Sequence, residues 1–211
     1  MTTVVLVHGL WLPGAETWLL RLRLARAGFK THQFAYRSVS VDLDANAQRL
    51  TDCLGRVPGD TVHLLGHSLG GVIALRALQT LSPARIGRVV CLGSPLRGST
   101  AARTLARLPG GRRLIGKSLP ALTGGAVAPW SGATQLGLIA GSTPLGGGQL
   151  LGGLPRPHDG TIAVEETRLE GATAHIVLPV SHLTMLWSAR VADQVVRFLE
   201  SGRFAASSTS S

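Results

Sequence analysis

Residues 62–71 read VHLLGHSLGG, and this stretch decides the fold. An apolar run typical of a buried strand leads into Gly66-His67-Ser68-Leu69-Gly70, and an apolar helical pattern follows over residues 69–81. A Gly-x-Ser-x-Gly motif between a strand and a helix indicates a sharp turn that exposes the serine hydroxyl. Side chains at positions 66 and 70 would collide with the neighbouring strand and helix, which explains the two glycines. We therefore predict that Ser68 is a nucleophile.

Short apolar runs alternate with helical patterns on both sides of this turn. The alternation indicates a largely parallel sheet flanked by helices. Strands are predicted over residues 3–8, 31–36, 61–65, 87–92, 134–140 and 174–179, and helices over residues 15–27, 42–57, 69–81 and 186–201. We expect one domain over residues 1–204, because a chain of 211 residues can bury one full core.

The segment between the fourth and fifth predicted strands differs from its surroundings. Residues 97–132 carry two weak helical patterns that are broken by prolines and glycines. An insertion at this place in a parallel-sheet fold is a candidate lid or cap. At the end of the chain, the Ser/Thr-rich residues 205–211 are expected to be disordered.

A family resemblance rests on two motifs. Residues 4–10 (VVLVHGL), together with the turn at residues 66–71, resemble the small bacterial lipases and esterases of the α/β-hydrolase family. The resemblance implies a minimal α/β-hydrolase fold with about six mostly parallel strands. His8-Gly9 is similar to that family's oxyanion-loop motif, which implies that the backbone amides of Leu10 and Leu69 hold the oxyanion. Residues 93–99 (GSPLRGS) also resemble a lipase segment.

The family places its acid after the nucleophile and before the base. From Leu69 through His158 the sequence contains no Asp or Glu, so the acid is Asp159, Glu165, Glu166 or Glu170. Asp159-Gly160 followed by residues 161–164 (TIAV) resembles the family's acid loop. We interpret the segment of Glu165 and Glu166 as solvated surface. Asp159 is therefore the predicted acid.

Two histidines, His175 and His182, follow Asp159 and could act as the base. His175 begins the last predicted strand, at the end of the sheet away from Ser68. His182 follows residues 177–181, at the carboxyl end of that strand, where the active sites of open parallel sheets form. Residues 181–188 (SHLTMLWS) also resemble the base segment of the minimal lipases, and His182 is the predicted base.

These residues predict a serine hydrolase that cleaves carboxylic esters through an acyl-enzyme on Ser68. Trp11 and Trp130 are the predicted substrate-binding residues. Together with Leu119, Leu122 and Val127 they either line an apolar acyl pocket or pack the insertion onto the sheet. Two alternatives stay open: acyl transfer, thioester or amide hydrolysis on the same triad, and a non-catalytic binding protein of the same fold.

The net charge of +10 raises the question of a nucleic-acid partner. The basic residues are nearly all arginines, spread over several helical segments without a tight basic run interleaved with aromatic residues. Nucleic acid is therefore not expected as a partner. The expected partner is a small-molecule or lipid ester substrate. The basic surface could attract anionic lipid, but no other feature of the sequence supports association with a membrane surface.

We expect neither a cofactor nor a metal ion. The seven histidines show no metal-ligand spacing, and Cys53 and Cys91 make neither a disulfide framework nor a metal site. No stretch reaches the roughly 18 consecutive apolar residues of a membrane span. Residues 1–8 read as a core strand and lack the features of a signal peptide, so a cytoplasmic location is expected.

Overall fold

The computed structural model describes residues 1–80, 85–125, 127–148 and 152–205. Within them six strands form one sheet in the order β2-β1-β3-β4-β5-β6, and each neighbouring pair runs parallel. The strands are β1 (Thr2–Val7), β2 (Lys30–Phe34), β3 (Thr61–His67), β4 (Ile86–Leu92), β5 (Gln135–Gly141) and β6 (Ala174–Leu178). The predicted six-stranded sheet is confirmed.

Helices cover both faces of this sheet. They are α1 (Trp18–Arg26), α2 (Leu43–Arg56), α3 (Leu69–Thr80), α4 (Thr100–Arg107), α5 (Gly111–Ile115), α6 (Leu119–Thr123) and α7 (Ala189–Ser201). Because successive strand residues point to opposite faces, Val5 and Val7 pack with α2 and α3, whereas Val4 and Leu6 pack with α1 and α7. Both faces of the strands are therefore apolar, as in other parallel sheets.

The element boundaries differ from the predicted ones at several places. The predicted helix over residues 15–27 is a 3₁₀ turn, Ala15–Thr17, followed by α1. The last helix begins at Ala189 rather than 186, because the Ser188 hydroxyl caps it by accepting the Val191 N–H. Strand β3 extends two residues beyond its predicted end. Residues 81 and 206–211 lie outside the described part of the chain, so neither the predicted end of the third helix nor the predicted disorder of the tail is tested.

The insertion at residues 97–132 contains α4, α5 and α6, whereas the sequence predicted two weak helices. Backbone and side-chain hydrogen bonds tie it to the loops that follow β1 and β2. The Lys117 N–H donates to the Val39 carbonyl (2.8 Å), and the Trp11 indole donates to the Leu114 carbonyl (2.9 Å). The insertion therefore lies over the carboxyl ends of these strands. No helix in the described residues is both long and apolar enough to cross a bilayer.

A buried histidine interrupts the ladder between β3 and β4. Nδ1 of His63 accepts the Arg88 N–H at 2.8 Å, and the strand register shifts at this place. Gly87 leaves room for the ring, since a Cβ there would lie 2.6 Å from His63 Cε1. Burial, together with the charge of Arg88, lowers the pKa of His63 to about 4.

This pKa predicts an acid-sensitive stability. The unfolded chain binds a proton on His63 near the ordinary pKa of 6.5, whereas the folded chain does not until about pH 4. The contribution is therefore fully present above pH 6.5 and is lost as the pH falls through this window. In the wild type, His63 should lower the free energy of unfolding by about 2–3 kcal/mol between pH 7 and 4.5. We expect the His63→Gln variant to lack this part of the decrease when urea denaturation is measured at both pH values. The same substitution at exposed His32 is the control, and an equal decrease in wild type and His63→Gln would contradict the assignment.

Candidate active site

Ser68 lies between β3 and α3 with a backbone φ of +53°. Non-glycine residues rarely adopt this left-handed conformation, because Cβ crowds the backbone. The tertiary structure holds it there: the Ser68 N–H donates to the Leu92 carbonyl at the end of β4 (2.9 Å), and α3 starts at the next residue. The turn presents the Ser68 side chain to a cavity at the carboxyl edge of the sheet.

The two glycines of the motif permit this turn, as the sequence predicts. A Cβ at Gly70 would lie 2.1 Å from the Val7 carbonyl oxygen of β1, and one at Gly66 would lie 2.4 Å from Gly71 Cα. Both obstacles are backbone atoms, which cannot move aside as a flexible side chain can. The start of α3 therefore packs directly against β1 and β3.

Gly70→Ala tests this close packing. We expect it to lower the free energy of unfolding by roughly 2–4 kcal/mol, because α3 must move away from β1 to admit the methyl group. Gly55→Ala is the matched control: a Cβ there has no neighbour within 4 Å, and alanine in α2 should stabilise the protein by about 0.5 kcal/mol. Chemical denaturation measures both changes. Equal stabilities of the two variants would refute the contact.

His182 and Asp159 are joined by a buried hydrogen bond. His182 Nδ1 donates to Asp159 Oδ2 at 2.7 Å, and the His182 N–H donates to the Asp159 carbonyl at 2.9 Å. The other carboxylate oxygen, Oδ1, accepts the N–H groups of Thr161 (2.9 Å) and Ile162 (2.7 Å). These bonds leave Nε2 of the neutral imidazole as a proton acceptor.

These partners keep Asp159 ionised. Burial by itself would raise its pKa, but the charge of His182 and the hydrogen bonds from His182, Ile162 and Thr161 outweigh burial and lower the pKa below its ordinary value. Of the four acids that the sequence leaves open, Asp159 is the one bonded to His182. Glu165 and Glu170 are exposed, and Glu166 bonds elsewhere.

Ser68 and His182 line the same cavity. The described residues contain no hydrogen bond between Ser68 Oγ and His182 Nε2. Such a bond is frequently long in unliganded sites and shortens once a substrate binds. The alternative base, His175, lies in β6 and bonds to the Thr167 hydroxyl (2.9 Å), away from the cavity.

Two backbone amides belong to residues beside the proposed nucleophile: Leu10 lines the cavity, and Leu69 directly follows Ser68. Among the described residues, no acceptor is bound to the N–H of Leu10 or of Leu69. Trp11, next to Leu10, has a φ of +62°, and its N–H donates to the Ser38 hydroxyl at 3.2 Å. His8 supports the loop, because its ring stacks on Tyr36 at 4.2 Å and its Nδ1 donates to the Gly9 carbonyl.

His67 packs beneath the predicted base. Its Nε2 donates to the His182 carbonyl at 2.9 Å, and the centroids of the two rings are 4.8 Å apart. Burial and the nearby charge of His182 lower the pKa of His67 to about 3. His67 is therefore neutral at physiological pH and holds the backbone of His182 in place.

Sequence reasoning missed a glycine that packs against the acid–base pair. Gly93, at the end of β4, has a φ of +53°. A Cβ there would lie 3.0 Å from Asp159 Oδ2 and 3.1 Å from His182 Nδ1. A larger residue would press on the hydrogen bond between them. The position of this glycine directly after an apolar strand was the available signal.

Glu166 corrects one interpretation of the sequence. The segment of Glu165 and Glu166 was expected to be solvated surface, but Glu166 is buried and only Glu165 is exposed. Glu166 accepts the N–H groups of Ala163 (2.9 Å) and Thr100 (2.5 Å), and it pairs with Arg103. It therefore joins the loop that carries Asp159 to the start of α4. Consecutive glutamates have no periodicity from which this difference could be read.

The cavity in front of Ser68 has a volume of about 290 Å³. Its apolar lining comes from the loop after β1, from the insertion and from the segments beside Asp159 and His182: Leu10, Trp11, Leu12, Ala101, Ala102, Leu105, Ile115, Leu122, Ile162 and Leu183. Trp11 and Leu122, two of the residues that the sequence analysis considered for an acyl pocket, both line this cavity.

Trp130 follows the second of the two alternatives, which is packing of the insertion onto the sheet. Trp130 and Val127 do not line the cavity but pack into the core beside α2 and α3, and the Trp130 indole donates to the Thr134 carbonyl (2.8 Å). Leu119 also packs against that core. These residues hold the end of the insertion on the sheet, because their apolar surface is buried there and not at the cavity.

Residues 4–203 match the alpha/beta hydrolase family. The chain belongs to this family. No curated protein sequence matches it closely enough to count as a relative.

Solved structures of hydrolases share the fold. The mature lipase BlEst2 of Bacillus licheniformis has a TM-score of 0.72 and 19% identity, covering 87% of this chain and 86% of that one. The pyrethroid hydrolase PytH has a TM-score of 0.67 and 18% identity, covering 96% and 99%. The metagenomic carboxyl esterase MGS0156 has a TM-score of 0.64 and 20% identity, covering 87% and 65%. At these identities the similarity concerns the fold alone.

Proposed function

We propose that this alpha/beta hydrolase cleaves carboxylic esters with apolar acyl groups, with Ser68 as nucleophile, His182 as base and Asp159 as acid. One observation carries the proposal. An ionised, buried Asp159 bonds His182 Nδ1 at 2.7 Å, while Ser68, held at a φ of +53°, shares an apolar cavity with that histidine. A lipase, a carboxyl esterase and a pyrethroid hydrolase with the same fold support this class of reaction.

In the acylation step, Ser68 Oγ attacks the ester carbonyl carbon and His182 Nε2 takes the hydroxyl proton. Asp159 keeps the proton of neutral His182 on Nδ1, so that Nε2 is free to accept, and it stabilises the imidazolium that forms. The proton then passes from Nε2 to the departing alcohol. Water enters, is deprotonated by His182 and releases the acid from Ser68.

The negative charge that develops on the carbonyl oxygen needs donors. The N–H groups of Leu10 and Leu69 are the proposed oxyanion hole, since neither is bound to an acceptor in the described chain. Leu69 is the first residue of the twelve-residue helix α3, so the positive end of the helix dipole adds to its effect. Loss of one such donor typically costs about 3–4 kcal/mol of transition-state stabilisation.

The cavity limits both the polarity and the length of the acyl group. Its lining is mostly aliphatic, with Ser99 and Thr161 among the few polar residues, and it favours an alkyl chain over a charged or strongly polar acid. A volume of about 290 Å³ suits short to medium chains better than long ones.

The reaction is tested with a series of p-nitrophenyl esters and a fluorophosphonate probe. We expect turnover of the short and medium esters and covalent labelling of the wild-type protein, because the probe reacts with an activated serine. Ser68→Ala should abolish both, while its unfolding curve stays close to that of wild type. A protein that neither turns over any ester nor reacts with the probe is not a serine hydrolase. Labelling without ester hydrolysis would favour transfer to another acceptor, or a thioester or amide substrate.

The acid is tested by Asp159→Asn. Its amide would present an N–H to His182 Nδ1 and force the proton onto Nε2, so we expect kcat to fall about 10⁴-fold. Glu165→Gln is the control, since that exposed side chain pairs with Arg97 and Arg168, and its kcat should change less than about threefold. Near-normal activity of Asp159→Asn would exclude it as the acid.

The acyl pocket is tested by Leu105→Ala. Leu105 is half-buried and lines the cavity, so its truncation should lengthen the pocket and move the preferred acyl chain upward in kcat/KM. Leu108, which is exposed one turn later and does not line the cavity, provides the control Leu108→Ala. An identical chain-length profile in both variants would place the acyl group elsewhere.

A further inference from the structure

The insertion at residues 97–132 has an uneven charge. It contains six basic residues, Arg97, Arg103, Arg107, Arg112, Arg113 and Lys117, and no acidic residue. Two of them are neutralised locally: Arg97 pairs with Glu165, and Arg103 pairs with Glu166. The positive charge of the other four is available on the surface.

Three of these four cations, Arg112, Arg113 and Lys117, line one surface depression at α5. All three are exposed, and within the described chain no carboxylate lies within ion-pair distance of them. Asp42 is the acidic residue in the same depression, and its Oδ1 already accepts the Ala45 N–H at the start of α2. The depression thus keeps an excess of two positive charges.

Exposed apolar side chains lie beside Arg113 in α5 and on the lining of the Ser68 cavity. Leu114, between Arg113 and Ile115 on α5, is 57% exposed, and Trp11, whose indole bonds the Leu114 carbonyl, is 56% exposed. Leu183 is 46% exposed, and Trp11 and Leu183 both line the cavity of Ser68. Packing of the core does not explain why these three large apolar groups are exposed to water, two of them on the cavity lining and one in the adjoining helix α5.

We propose that these six residues, Trp11, Arg112, Arg113, Leu114, Lys117 and Leu183, form a lipid-docking patch that binds the surface of an anionic phospholipid bilayer. The cations attract the phosphate layer, and the long stems of arginine and lysine allow the apolar groups to enter the outer acyl region. An indole is well suited to the boundary between headgroups and acyl chains. The proposal extends the proposed function, because docking would bring the cavity to esters dissolved in the lipid.

The apolar half of the patch favours lipid over nucleic acid. A nucleic-acid site needs cations together with several aromatic rings on which bases stack. The six residues of this patch include one aromatic ring, that of Trp11. Leu114 and Leu183 would stay in water against a phosphate backbone, whereas a bilayer buries them.

The proposal is tested by vesicle flotation in the Ser68→Ala background, which binds without hydrolysis. Vesicles are phosphatidylcholine alone or mixed with phosphatidylglycerol. We expect binding to the mixed vesicles that weakens with added salt, and little binding to phosphatidylcholine. The triple variant Arg112→Gln, Arg113→Gln, Lys117→Gln should lose about 100-fold in partition coefficient on the mixed vesicles. Leu114→Ser should lose about tenfold and leave the salt dependence unchanged.

A second triple variant, Arg26→Gln, Lys30→Gln, Arg203→Gln, removes the same charge from exposed residues at the opposite end of the sheet and should bind like the parent. Equal losses in both triple variants would show that only net charge matters and would overturn the patch. Equal binding to both vesicle types, or a Leu114→Ser variant that binds like its parent, would also overturn it. So would tight binding of a single-stranded oligonucleotide with no vesicle binding, which would reassign the cations to nucleic acid.

A failure of the docking proposal can be distinguished from a failure of the proposed reaction. With Ser68 intact, hydrolysis of a water-soluble short ester reports the catalytic residues, and both triple variants should match wild type. Vesicle binding without ester turnover would retain the docking patch and reject the reaction. Ester turnover without vesicle binding would retain the reaction and reject the docking patch.

Discussion

The site depends on the close contact between the start of α3 and strands β1 and β3. The missing side chain of Gly70 allows the helix to approach the Val7 carbonyl, and the missing side chain of Gly66 allows the strand to turn directly into that helix. This contact maintains the positive φ of Ser68, which the isolated chain would avoid. The cost of that strained residue is offset by packing around it: the neighbouring β3 and α3 side chains Leu64, Leu65, Leu69 and Val72 are fully buried.

The acid–base pair is stabilised by polar contacts in an otherwise apolar environment. Asp159 is completely buried, yet each of its oxygens accepts hydrogen bonds, so the charge is compensated where it lies. Gly93 packs against the pair, His67 bonds the His182 carbonyl, and Glu166 anchors the loop of Asp159 to α4. The geometry of the site thus depends on segments that are far apart in the chain, around residues 67, 93, 159–166 and 182.

The insertion connects the site to its surroundings in two ways. Its inner side chains, such as Leu105 and Leu122, form one wall of the cavity, and its outer side carries cations and an exposed leucine. The same short helix, α5, contributes buried Ile115 to the cavity and exposed Leu114 to the surface. An apolar wall and a basic exterior therefore arise from neighbouring residues of one element, because the side chains of a helix point in different directions around its axis.

The sequence by itself determined the order of strands and helices and the turn at Ser68, because periodicity and glycine spacing are local properties. Asp159 and His182 were predicted from their order along the chain and from the resemblance of their segments to those of the family. It did not determine that Trp130 packs in the core while Leu122 lines the cavity, or that Glu166 is buried while Glu165 is exposed. Those differences depend on contacts between residues far apart in the chain, such as Glu166 with Thr100 or Trp130 with the core beside α2 and α3. Only the tertiary structure decides them, since burial is a property of the assembled fold and leaves no periodic signal in an irregular segment.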